Sequence, residues 1–195
     1  TSPSVVNIWT IKKWKAWQEQ SNELGFKRYR RVVKAGLFPN GSGVVIEKDL
    51  IVTNFHVISD ALNQNQELII ENNRGQTVQT EVLGYDLEAD IAVLGIIDSI
   101  DLKPFKIRKN IDQVKVGESV IAIGNPQGLG QSFSRGIVSA INRTFKDKKG
   151  NLIQTDASIN PGNSGGALID DKGRLLGVVN VIRSTSGGNQ GLNFA

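Results

Sequence analysis

The chain has 195 residues, enough for one large domain or for two small barrels that share a core, and no apolar run approaches the ~20 residues of a membrane-spanning helix. With 39% hydrophobic and 22% charged residues it has the balance of an ordinary globular protein, and a net charge of +4 is too weak to argue for a nucleic-acid partner. Cysteine is absent, which excludes a disulfide scaffold and favours an intracellular, periplasmic or organellar setting over an animal-type secreted one.

In chain order, Ser4–Trp9 reads as a first strand. Thr10 then caps a predicted helix from Ile11 to about Leu24, stopped by Gly25, with Ile11, Trp14, Trp17, Ser21 and Leu24 near one face. A basic run follows at Lys27, Arg28, Arg30, Arg31 and Lys34, read either as a solvated face or as a surface for another subunit or an acidic partner. From there short β-rich runs dominate: Gly43–Ile46, Leu50–Thr53, Glu67–Glu71, Thr77–Leu83 and Ile91–Ile97. Asp98–Val116, charged and holding Pro104, reads as a link to a second set: Ser119–Ile123, Phe133–Ile141, Leu152–Thr155, Gly166–Ile169 and Leu175–Ile182. The pattern is that of an all-β barrel or sandwich protein. It divides into an N-terminal strand and helix-like basic segment at 1–40, a first barrel at 41–105 and a second at 113–195.

Three segments carry chemistry. His56, the only histidine, follows the apolar run Ile51-Val52-Thr53 and has the proton affinity of a general base near neutral pH. Asp90 opens the apolar run Ile91-Ala92-Val93-Leu94, where its carboxylate can accept the imidazole N–H and fix the tautomer; Asp86 and Glu88 compete with it but lie further from the buried run. Gly162-Asn163-Ser164-Gly165-Gly166 puts a hydroxyl on a tight glycine-flanked turn. Such a turn, Gly162-Asn163-Ser164, can aim the amides of Gly162 and Ser164 at one point as an oxyanion hole. The order His, Asp, Ser is that of chymotrypsin-like enzymes, not of subtilisins or α/β-hydrolases.

At these residues the sequence resembles the HtrA (Deg) family of trypsin-like serine proteases. The matching stretches are Gly41-Ser42-Gly43-Val44-Val45-Ile46, Thr53-Asn54-Phe55-His56-Val57, Asp90-Ile91-Ala92-Val93-Leu94, Ile123-Gly124-Asn125-Pro126, Thr155–Gly166 and Gly187–Ala195. The resemblance implies two six-stranded antiparallel barrels with the active site between them, ATP-independent cleavage of unfolded protein without cofactor or metal, and assembly into trimers. It implies a periplasmic or organellar compartment, with a cytoplasmic one as the alternative. Many members carry a PDZ domain after the protease domain; the chain up to Ala195 reads as a protease domain without one. The basic segment at 10–34 is not a hallmark of the family.

Six positions before Ser164, where relatives that cut after Arg or Lys hold an acid, this chain has Ser158. The resemblance puts Ile159 and Ile182 along the pocket walls, which favours a small or medium aliphatic residue on the acyl side of the cut, while either isoleucine reads equally as core. Asn163 stands where zymogen-activated relatives place Asp, so control falls to loop ordering at Gln127–Arg135 and Arg183–Gln190. Protein or peptide substrates are the expected partners. Two rival readings are a pseudoprotease that binds in the cleft without turnover, and a protease dedicated to one partner in a signalling or defence pathway.

Overall fold

The computed structural model describes residues 2–21, 25, 27–125, 130–145, 148–180 and 193–195. The first six strands are β1 (Val5–Ser21), β2 (Lys27–Val45), β3 (Leu50–Thr53), β4 (Glu67–Glu71), β5 (Thr77–Asp86) and β6 (Ile91–Ile96). They close a barrel in the order β1-β2-β3-β6-β5-β4, β1 completing the ring by pairing with β4 from Asn7↔Glu71 to Ile11↔Glu67. Alternation sets the inside: in β5, Val78 and Thr80 are buried while Thr77, Gln79 and Glu81 face water. The barrel core gathers Val6, Ile8, Val45, Ile51, Ile70 and Leu94, and a helix, α1 (Phe55–Asn63), adds Val57, Ile58 and Ala61 to it.

The other six strands are β7 (Ser119–Gly124), β8 (Ser132–Phe145), β9 (Lys148–Thr155), β10 (Ala167–Asp170), β11 (Leu175–Val178) and β12 (Asn193–Phe194). They form an antiparallel sheet in the order β11-β10-β7-β8-β9-β12, over a core that includes Val120, Val138, Ile153, Ile159 and Leu168. A third apolar cluster joins the halves, Val5 and Val44 from the barrel meeting Ile123, Ala167, Ile169 and Leu175 from the second sheet. The two six-stranded antiparallel sheets are the all-β architecture expected from the sequence.

The link between the sheets is stitched to both. Phe105 N–H donates to the Val45 carbonyl (3.0 Å) and Arg108 N–H to that of Leu175 (3.0 Å). Arg108 then reaches Glu118 at 2.6 Å, with the buried Asp170 at 3.9 Å. Its hydrogen bond holds the Glu118 carboxyl below the usual range against the opposing effect of burial. Burial pushes the Asp170 carboxyl up, but the amides of Arg174 and Lys172 and the Arg174 guanidinium outweigh it and leave that group lowered too.

The N-terminal helix expected over Ile11–Leu24 does not form. β1 runs on beyond the barrel as a strand, paired with β2 from Trp9↔Pro39 to Ser21↔Lys27, and Leu24 lies outside the described residues. A lone helix of that length is marginal unless its apolar face finds a surface. The hairpin puts Trp14 and Trp17 on opposite faces and gives each a local partner. Trp14 packs edge-on to Phe38 (6.2 Å between centroids), and Arg31 stacks over Trp17 at 5.2 Å. Helix α1, where the sequence suggested only the end of a strand, is the one α-helix among the described residues, beside a short 3-10 turn at Ile111–Gln113.

Candidate active site

His56 lies in the first turn of α1, directly after β3. Asp90 sits in the turn between β5 and β6 with φ +56°, the left-handed region that Asp tolerates better than most residues. That turn is built by Asp86, whose Oδ1 accepts the amides of Glu88 (2.8 Å) and Ala89 (3.0 Å). In this conformation Asp90 presents three acceptors to one end of α1. Its carbonyl takes the Phe55 N–H (3.1 Å), Oδ1 takes the His56 N–H (3.0 Å), and Oδ2 lies 2.8 Å from His56 Nδ1. The carboxylate therefore caps the helix that carries its own partner, where a negative charge is favoured by the exposed amides. With Nδ1 as donor, Nε2 is the acceptor nitrogen of neutral His56. The Asp90 side chain is 10% exposed and that of His56 39%, a buried anchor behind an accessible base.

Ser164 lies between two glycine-assisted bends, with Gly162 at φ +97° and Gly165 at φ +81°. A Cβ on Gly165 would collide with the Ser42 carbonyl and the Thr53 hydroxyl, so only glycine fits there. The Asn163 amide donates to the Asn160 carbonyl (3.0 Å), so of the three expected oxyanion residues Asn163 contributes the turn itself. Among the described residues the Gly162 and Ser164 amides have no acceptor within the chain. Asn163 is buried, and its Oδ1 lacks a hydrogen-bond partner among the described residues.

Two residues the sequence reading passed over bring the parts together. Asn54 is fully buried; its Nδ2 donates to the Asp90 carbonyl (3.0 Å) and its Oδ1 accepts the Gly165 N–H (2.8 Å), which the Val179 carbonyl shares (2.8 Å). Asn54 occupies the N-cap position of α1, yet its side chain makes no capping bond, because Asp90 has taken that role. Ser42, also fully buried, donates its hydroxyl to the Gly162 carbonyl (2.9 Å), accepts the Asn125 N–H (2.9 Å), and donates its own amide to the Ser164 carbonyl (2.9 Å). The turn packs closely here: a Cβ on Gly41 would lie 2.9 Å from the Ser164 carbonyl oxygen and 3.0 Å from a methyl of Val57, the residue after His56. The signals were present in the sequence as a serine between two glycines and an asparagine just ahead of an apolar helix period.

Of the expected specificity residues, Ser158 is exposed and its carbonyl accepts the Ser134 hydroxyl (2.6 Å). Ile159 is 1% exposed and packs in the second core. Ile182 lies outside the described residues, as do Arg183–Gln190 and 127–129 of the two loops expected to exert control.

The trypsin-like peptidase domain family matches residues 41–178. The chain is 43% identical over 159 residues to the periplasmic pH-dependent serine endoprotease DegQ of Escherichia coli, covering 80% of this chain and 34% of that protein. It is 41% identical over 160 residues to a probable periplasmic serine protease of the do/HhoA type from Haemophilus influenzae, covering 80% and 33%. The chain thus spans about a third of the length of these relatives. Among solved structures it superposes on the HtrA-type protease AlgW bound to a decapeptide with a TM-score of 0.83 and 33% identity, covering 100% of this chain and 61% of that one.

Proposed function

The chain belongs to the trypsin-like peptidases, as a protease domain of the HtrA/Deg type, and on that premise we propose that it is a serine endopeptidase acting through His56, Asp90 and Ser164. The observation that carries this reading is the His56 Nδ1 to Asp90 Oδ2 hydrogen bond of 2.8 Å, held by a carboxylate whose other oxygen is fixed by the His56 amide. A base so oriented has one tautomer and one direction in which to accept a proton.

In this mechanism His56 Nε2 takes the Ser164 Oγ proton as that oxygen attacks the scissile carbonyl carbon. Asp90 stabilises the imidazolium without itself becoming protonated. The amides of Gly162 and Ser164 hold the developing oxyanion, each such donor contributing about 10²–10³ in rate. His56 returns the proton to the leaving amine, and water, activated by the same imidazole, releases the acyl group from Ser164. Ser158, carrying no charge, leaves a cationic side chain unpaired in the pocket, and Ile182 is its proposed apolar lining, Ile159 being buried in the second core. Substrates are unfolded or extended segments of protein, and the setting is periplasmic like that of the named relatives; a homotrimer as working unit rests on the family resemblance alone. Labelling with a fluorophosphonate probe tests the core of the reading. Wild type is expected to label at Ser164 and Ser164→Ala to remain unlabelled; an unreactive wild type would instead support the pseudoprotease reading.

A further inference from the structure

Among the described residues, β1 beyond Ile11 has β2 as its sole neighbouring strand, and β2 pairs with β3 only at Val44 and Val45. Residues 12–21 and 27–36 therefore stand off the barrel as a two-stranded ribbon on the order of 30 Å long. Over 10–38 this hairpin holds eight of the chain's 23 Lys and Arg residues but two of its 19 Asp and Glu residues. Lys13 pairs with Glu67 and Lys27 with Glu19; among the described residues Lys12, Lys15, Arg28, Arg30, Arg31 and Lys34 have no acidic partner. Between them Trp17 is 63% exposed, Tyr29 58% and Val33 68%.

The register divides these groups between two faces. Lys12, Lys34, Arg30 and Arg28 share one face with Trp14; Lys13, Lys15, Arg31 and Lys27 share the other with Trp17, Tyr29 and Val33. Protection of open strand edges against pairing accounts for lysines and arginines, but not for indoles left in water beside them. An acidic protein or a duplex would be met by one charged face. Here the cations are split four and four, and each face also carries aromatic surface. What matches both faces at once is a medium that surrounds the ribbon, polar and negative at one depth and apolar just below it. We propose that the β1–β2 ribbon docks this protein on an anionic lipid bilayer, its cations in the phosphate layer and Trp17, Tyr29 and Val33 at the acyl boundary. Tryptophan and tyrosine favour that depth, and each basic residue near an anionic surface strengthens attraction about fivefold.

Flotation of the purified protein with vesicles tests this. Wild type is expected to float with phosphatidylcholine vesicles containing about one-third phosphatidylglycerol at low salt, and to stay behind with pure phosphatidylcholine or at high salt. R28Q/R30Q/R31Q/K34Q is expected to lower partitioning on the order of 10²–10³-fold, from about fivefold per charge. W17S/Y29S should lower it at least tenfold and diminish the blue shift of tryptophan emission on binding. Both variants are expected to keep short-peptide hydrolysis and the wild-type circular dichroism spectrum, which separates loss of docking from loss of fold. Failure of wild type to float at low salt, or equal flotation of the charge variant, would overturn the proposal. So would tighter binding to a glutamate-rich peptide or to duplex DNA than to vesicles, or a ribbon-dependent shift in particle mass without lipid.

Discussion

Asn54→Ala isolates the contact that couples the two halves of the site. The substitution removes the bonds to the Asp90 carbonyl and the Gly165 amide, at 3.0 and 2.8 Å. Neither backbone group is orphaned, because the Asp90 carbonyl keeps the Phe55 N–H and the Gly165 N–H keeps the Val179 carbonyl. The loss is therefore that of two net hydrogen bonds, about 1–3 kcal/mol, rather than the larger penalty for buried unpaired groups. A domain stable by about 5–15 kcal/mol survives this, so activity can be measured on folded protein. The effect on turnover follows from placement: Asn54 spans the Asp90 turn and the Ser164 turn, and a misplacement of about 1 Å between reacting groups costs on the order of 10². The expected result is kcat down by about tenfold to 10², with KM for a short peptide nearly unchanged and a Tm lowered by several degrees. Steady-state kinetics well below the Tm, with urea unfolding alongside, measures both. A variant destabilised as expected but with wild-type kcat would show that backbone contacts alone align the serine turn.

Ser164→Ala should reduce peptide cleavage on the order of 10⁶ while leaving the unfolding curve in place, since triad residues act as a unit. Asp90→Asn keeps the left-handed backbone and should cost about 10⁴ in kcat through the wrong tautomer; Asp86→Asn retains the oxygen that accepts the Glu88 and Ala89 amides and should cost little. If the two effects were reversed, the carboxylate assignment would fail. Mass-spectrometric mapping of products from an unfolded substrate should show cuts after Val, Ile, Ala or Leu, and a majority after Arg or Lys would refute the uncharged pocket. Glu118→Gln should cost about 2 kcal/mol at neutral pH by weakening the Arg108 pair. Because the folded carboxyls of Glu118 and Asp170 are lowered, their stabilisation is complete above the ordinary values of 4.5 and 3.8 and is lost as pH falls past their depressed ones. The gap between wild type and Glu118→Gln in urea midpoint should thus close in acid, and a gap that widened there would contradict the pairing.

The parts of the site legible in the sequence were those whose chemistry is local. A glycine-flanked serine, a lone histidine and an aspartate opening an apolar run each announce themselves within a few residues, and their order selects among known arrangements. The ribbon was not legible because residues 11–21 are rich in good helix formers, and the three-residue spacing of Ile11, Trp14 and Trp17 fits a helix as well as the alternation fits a strand. What decides between them is the partner, Lys27–Val45, whose pairing with β1 starts inside the barrel at Val5↔Val44 and runs on past a one-residue register shift between Ile8 and Trp9. The helix at Phe55–Asn63 shows the same limit from the other side. Asn54 is a sound N-cap residue and marks where the helix begins, but nothing nearby says that its side chain will be drawn away to Asp90 and Gly165. The capping oxygen comes instead from Asp90, 34 residues on from His56, and only because Asp90 adopts a left-handed turn. A pattern can therefore place the ends of an element while leaving open which residue satisfies them, and in this protein that exchange of roles between Asn54 and Asp90 is what ties the histidine to the serine.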